Sequence, residues 1–257
     1  MHIKSRIAVF VLSIFLCSLT AVFAGPLEDC AEYAALGVPG QQGDLLCRAE
    51  HLLAHHPEYK TPLWVIERLT KEKATSKVVP RYNKFQADPG RPRGGRAELS
   101  DYRGSGYDRG HMAPSADMRW NKRAMVECFY LSNMVPQVGA GMNRGIWKDL
   151  EEYTRTWAVN RGELFVFTGP IYAGPIMTIG RNAIAVPSHL YKIIYDPARK
   201  EAIAFIMPNR PLNTADMPSY IVSVRDVEAA TGLNFLSSLE QELQDTVETA
   251  KASSLWN

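Results

Sequence analysis

Asp108-Arg109-Gly110-His111 and the run Met142-Asn143-Arg144-Gly145-Ile146-Trp147-Lys148-Asp149-Leu150-Glu151 are the parts of this sequence whose residue types and spacing can do chemistry. Together they hold what phosphodiester hydrolysis needs: an imidazole to act as base, guanidinium groups to neutralise phosphate, and an amide oxygen and a carboxylate suited to a hard metal ion. His111 is the candidate base, because an imidazole that is neutral near pH 7 can take a proton from water attacking phosphorus. Asn143 and Glu151 are the candidate metal-site residues. On one continuous helix, eight residues rise about 12 Å, too far for both side chains to bind one small ion directly. Mg²⁺ keeps several of its waters, so the Asn143 amide would take the ion and Glu151 would hold its waters. Asparagine also favours the N-cap of a helix, but capping does not account for Glu151.

These segments, joined by Tyr130-Leu131-Ser132-Asn133-Met134-Val135-Pro136-Gln137, resemble the sugar-non-specific ββα-metal (His-Me finger) endonucleases. That family includes secreted bacterial DNA/RNA nucleases and mitochondrial endonuclease G. The resemblance runs from Trp64 to Phe235, with the motif residues in the family's order. It implies an α+β fold of the ββα-metal type, with a central, mostly antiparallel sheet flanked by helices. It implies the same division of labour between Asn143 and Glu151, with Mg²⁺ as cofactor and Mn²⁺ or another divalent cation as substitute. Arg81, in Arg81-Tyr82-Asn83-Lys84-Phe85-Gln86-Ala87-Asp88, matches the family's upstream arginine and with Arg109 is expected to contact phosphate oxygens. Asn133 is expected to bind near the scissile phosphate or to orient His111; in a strand ending at Pro136 it could instead satisfy backbone groups. Asp108 reads as a structural acid that orients Arg109.

The expected function is a secreted or periplasmic, metal-dependent endonuclease that cuts DNA and RNA without sequence preference. The related nucleases imply 5′-phosphate products. DNA and RNA would be held through their phosphate backbones, which carry no sequence information. A non-catalytic nucleic-acid-binding protein that keeps the fold is the alternative, but it would need the arginines and not His111, Asn143 and Glu151. A phosphodiesterase for small nucleotides is a third reading; the long basic loop from Asp88 to Gly106 suits a polymer better.

Overall charge says nothing about nucleic acid. The chain has 29 basic and 27 acidic residues, and residues 1–24, which hold Lys4, Arg6 and no acid, leave 27 of each when removed. The local run Arg81, Lys84, Arg91, Arg93, Arg96, Arg103 and Arg109 is strongly basic. Residues 1–24 read as a signal peptide, with a short basic start, an apolar stretch from Ile7 to Leu16 and small residues before Gly25. This predicts export, with no membrane association after cleavage. Export would allow a disulfide between Cys30 and Cys47 in a Cys-bounded segment, residues 25–62, and leave Cys128 as a buried thiol. Residues 63–257 would form the nuclease domain, as one core without repeats.

The elements that must position these residues follow from periodicity. Leu63–Leu69 reads as the first strand, after a short helix near Leu45–His55. The Gly/Pro/Arg-rich loop Asp88–Gly106 is expected on the surface. Asn121–Cys128 looks helical and Phe129–Ser132 extended. Met142, Ile146, Leu150, Tyr153 and Trp157 give a helix a buried face, and Gly162 ends it. Leu164–Thr168, Ile184–Val186, Leu190–Tyr195 and Ala202–Met207 read as strands, the last two forming a hairpin. Ser223 opens a helix that Gly232 closes, with Asp226 completing a capping box, and Leu236–Lys251 is a final helix. His51 and His55 have zinc-like i, i+4 spacing, but Leu52 replaces the required glutamate, and a solvated helix face is expected. Trp157 belongs to the apolar stripe and reads as core, not as a base-stacking platform.

Overall fold

A computed structural model describes residues 27–257. The proposed signal peptide therefore lies outside the described residues. Eleven strands run as β1 (Asp44–Cys47), β2 (Leu52–His56), β3 (Thr61–Thr70), β4 (Tyr107–His111), β5 (Met134–Val138), β6 (Glu163–Ile171), β7 (Met177–Ile179), β8 (Ile184–Val186), β9 (His189–Asp196), β10 (Glu201–Pro208) and β11 (Ile221–Val222). The helices are α1 (Lys71–Thr75), α2 (Leu99–Tyr102), α3 (Lys122–Glu127), α4 (Trp147–Arg161), α5 (Val224–Thr231) and α6 (Gln241–Thr249). The fold is α+β, as expected.

Seven strands in the order β1-β2-β3-β6-β9-β10-β11 form one sheet, antiparallel at every pairing. Its strands are apolar on both faces because both are covered. Val65, Val166, Ile194 and Phe205 point to one layer, with α3, α4 and β5; Trp64, Phe167, Ile193 and Ala204 point to the other, with α5, α6 and the N-terminal Tyr33 and Leu36. Alternation along each strand thus feeds two cores. The motif segments singled out in the sequence all lie in the first layer, where β4 and β5 pair separately and lead into α4.

The expected helix near Leu45–His55 is instead the β1–β2 pair, which extends the sheet from the segment 25–62. The histidine expectation changes with it: His51 and His55 are both fully buried, not solvated. Residues spaced by four share a strand face as readily as a helix face, so that spacing did not separate the two. Leu131–Asn133 is a 3₁₀ turn where an extended run was expected, and the last helix is shorter than expected. The loop Asp88–Gly106 is irregular apart from α2, yet it buries Asp88, Ala97, Asp101 and Tyr102. Cys30 and Cys47 form a disulfide with a Cα–Cα distance of 5.8 Å, and Cys128 is a buried free thiol, both as expected. Among the described residues, no helix is long and apolar enough to cross a membrane.

Candidate active site

β4, β5 and α4 form a ββα unit along a cleft of about 790 Å³, lined by Arg81, Arg109, His111, Asn143 and Glu151 among others. Five of the six expected site residues therefore converge. Strand alternation puts Arg109 and His111 on one face of β4 and Asp108 and Gly110 on the other. Gly110 is required by packing: a Cβ there would overlap the side-chain oxygen of buried Gln137. The Arg81–Asp88 segment is brought alongside by backbone bonds from Gln86 to Phe129 and Leu131.

Two phenyl rings organise the cationic side of the cleft. His111 lies 5.0 Å from Phe129, edge-on, and 5.4 Å from Phe85. The Arg81 guanidinium sits 5.1 Å from the Phe129 centroid and that of Arg109 4.2 Å from the Phe85 centroid. Arg81 also donates to the Ser115 hydroxyl. Burial, and then the charge of Arg81, hold the His111 imidazole down to about 3, so it is neutral at physiological pH. Its Nε2 has no hydrogen-bond partner among the described residues. The sequence had shown Phe85 and Phe129 only as neighbours of other residues.

Asn143 does not lie on a continuous helix with Glu151. The chain from Gly139 to Ile146 departs from helical geometry at Ala140, Gly141 and Gly145, and α4 begins only at Trp147. The rise estimated for an unbroken helix therefore does not apply. A hydrogen bond fixes Asn143 instead: its Nδ2 donates to Asp108 Oδ2 at 3.0 Å. A carboxylate can only accept, so this bond settles which amide atom is which, and Oδ1 has no protein donor among the described residues. Asp108 also pairs with Arg144 at 3.2 Å. Its partners are thus Asn143 and Arg144, which corrects the expectation that it orients Arg109.

Glu151, in the second turn of α4, carries a carboxyl that burial raises to about 7, against the opposing pull of Lys192 and Arg155. Arg155 lies one turn further on and is fixed at 2.9 Å by buried Asp117. Lys192 is buried in β9, donates to the Thr168 hydroxyl at 2.7 Å and lies 5.1 Å from the Trp147 centroid. Of these, Arg155 was within reach of the sequence, because i, i+4 on a helix places it beside Glu151. Lys192 was not, since only the sheet pairing brings it under the cleft.

Asn133 is the sixth expected residue, and it is not on the cleft. It is fully buried; its Oδ1 accepts from Ala113 N at 3.0 Å, and its Nδ2 donates to Ala113 O and Cys128 O, each at 2.9 Å. Its amide is committed to backbone groups and holds the chain just after His111, which is the backbone-satisfying alternative rather than a contact with the scissile phosphate.

Residues 31–242 match the family model described as DNA/RNA non-specific endonuclease. The chain is 36% identical to a mitochondrial nuclease of Saccharomyces cerevisiae, over 82% of this chain and 71% of that protein. It is 34% identical to human mitochondrial endonuclease G, over 81% of this chain and 74% of that protein. In solved structures, a chain of the EndoG/EndoGI complex superposes with a TM-score of 0.79 at 31% identity, covering 84% of this chain and 94% of that one. The fold is therefore the ββα-metal nuclease fold. The expectation of export to the periplasm or the cell exterior is overturned by these relatives, which are named as mitochondrial nucleases. With the motif segments, the fold and the relatives in agreement, the chain belongs to the DNA/RNA non-specific endonuclease family.

Proposed function

We propose that this protein hydrolyses internal phosphodiester bonds of DNA and RNA in a reaction that requires a divalent metal ion, of which Mg²⁺ fits best. The observation that carries this reading is the convergence of a His111 nitrogen and an Asn143 oxygen, each without a protein partner among the described residues, in a cleft walled by arginines. The donor set fits a hard cation: an amide oxygen whose orientation Asp108 fixes, and a carboxylate on the next helix. Among the described residues, no group of three or more His, Cys, Asp and Glu side chains is arranged to hold an ion. An ion held by Asn143, with Glu151 on its waters, would thus keep most of its hydration shell. When bound, such an ion stabilises charge on the phosphate and on the leaving oxygen.

The chain's own residues do the rest. His111 accepts a proton from the attacking water, which its neutral ring is free to do. Arg81 and Arg109, braced on Phe129 and Phe85, hold phosphate oxygens. Asn133 keeps the backbone after His111 in register. Phosphate contacts are common to both polymers, so a site that works through them makes base identity and sugar matter little. Products carry 5′-phosphates. Incubation with plasmid DNA and structured RNA, with Mg²⁺ or EDTA, followed by end-labelling, tests this. Internal cuts with 5′-phosphate ends, lost in EDTA, are expected; 5′-hydroxyl ends or EDTA-resistant cutting would refute the reading.

A further inference from the structure

The basic run between Arg81 and Arg109 is sorted by the fold into structural and free charges. Arg91 pairs with Asp44, and Arg96 pairs with Glu98 while donating to the carbonyls of Asp88 and Arg91. Arg81 and Arg109 sit on the phenyl rings beside His111. Arg103 is different: it lines the same cleft, is exposed, and has no hydrogen bond or ion pair among the described residues. Of the other exposed cations on the cleft, Arg144 and Lys148 are paired with Asp108 and Glu152, and Arg81 is tied to the Ser115 hydroxyl and the Phe129 ring. Arg103 therefore offers the cleft a positive charge that no neighbouring acid offsets.

Its mounting is rigid for a loop residue. It follows α2, whose Glu98–Asp101 capping box closes the first turn and whose Tyr102 is buried. Asp101 accepts from the backbone and side chain of Asn182 in the β7–β8 turn, where Gly180 allows the closest approach. After Arg103, Gly104 and Gly106 both adopt positive φ, +70° and +83°, turning the chain sharply into β4. Arg103 thereby lines the cleft shortly before Arg109 and His111 in the chain, ahead of the Gly104–Gly106 turn.

Resting on the nuclease reading above, we infer that Arg103 binds a phosphate of the substrate strand other than the one being cleaved and so favours polymers over short nucleotides. Such a contact is made equally in the ground state and the transition state, and it lowers KM without raising kcat. The test is steady-state cleavage of a long oligonucleotide by purified wild-type protein, Arg103→Ala and Arg103→Lys, with the salt dependence of binding measured in parallel. Arg103→Ala should raise KM about tenfold, change kcat less than about twofold, and reduce the salt slope by about one unit; Arg103→Lys should restore the slope. Thermal unfolding of all three proteins should coincide, since the guanidinium has no partner to lose. A fall in kcat equal to the rise in KM, an unchanged salt slope, or no change in KM would overturn the inference while leaving the nuclease reading intact. A wild-type protein that cuts no oligonucleotide would remove both.

Discussion

At the scale of single residues, the site depends on two side chains whose states are set by their neighbours. Burial and Arg81 keep the His111 ring neutral to about pH 3. In metal-free protein, its NMR ring signals should stay at their neutral positions from pH 8 down to about 5, where an ordinary histidine titrates near 6.5. A midpoint near 6.5 would show that the imidazole is more exposed than the packing of Phe85 and Phe129 implies. Asn143 depends on Asp108 in the same indirect way. Asn143→Ala should raise the Mg²⁺ concentration needed for half-maximal rate, and Asp108→Ala should do so by a smaller factor, about 10- to 100-fold, because it loosens the ligand without removing it. Glu151→Gln should be milder than Asn143→Ala, since an amide can still hydrogen-bond a metal-held water. An Asp108→Ala protein with an unchanged metal requirement would break the link between Asp108 and Asn143.

At the scale of elements, the two faces of the sheet separate stability from catalysis. Ser223→Ala removes the reciprocal Ser223–Asp226 cap of α5, which packs on the face away from the cleft; it should cost about 1 kcal/mol in denaturant unfolding and leave the cleavage rate unchanged. Gly110→Ala should do more damage to activity, because the added Cβ displaces Gln137 and with it the β4 strand that carries His111. Equal activity in the two variants would mean that the strand tolerates the shift. The long, periodic elements β3, α4, β9 and β10 were legible in the sequence because each buries many residues at its own repeat, and the α5 cap was legible from Ser223 and Gly232 alone. β1 and β2 were not, because they are too short to show alternation over more than one turn of spacing. The partners of Asp108, the backbone bonds of Asn133 and the break at Gly145 were hidden for another reason: each is fixed by a contact or a turn that exists only once β4, β5 and α4 are assembled.

For the molecule as a whole, burial of neutral histidines ties folding to pH. His51, His55 and His111 are held down to about 3, about 4 and about 3, first by burial. The unfolded chain takes up these protons near pH 6.5 and the folded chain does not, so this contribution to stability is complete above pH 6.5 and is lost as pH falls towards 4. Glu67, Asp117 and Glu151, whose carboxyls are raised by burial, act in the opposite sense, so a single substitution isolates the histidine effect better than the whole profile. His51→Leu should lose less stability than wild type between pH 7 and 4.5 in denaturant unfolding; an equal loss would show that His51 is not neutral when folded. The central claim, that the ββα cleft is a working nuclease centre and not a binding surface that kept the fold, is tested most directly with covalently closed circular DNA. This substrate has no ends, so any product reports an internal cut. Wild-type protein with Mg²⁺ should nick and linearise the circle, whereas His111→Ala should bind it with similar affinity and cut about 10²- to 10⁴-fold more slowly. A wild-type protein that binds without cutting in Mg²⁺ or Mn²⁺, or a His111→Ala protein that cuts at the wild-type rate, would contradict the account.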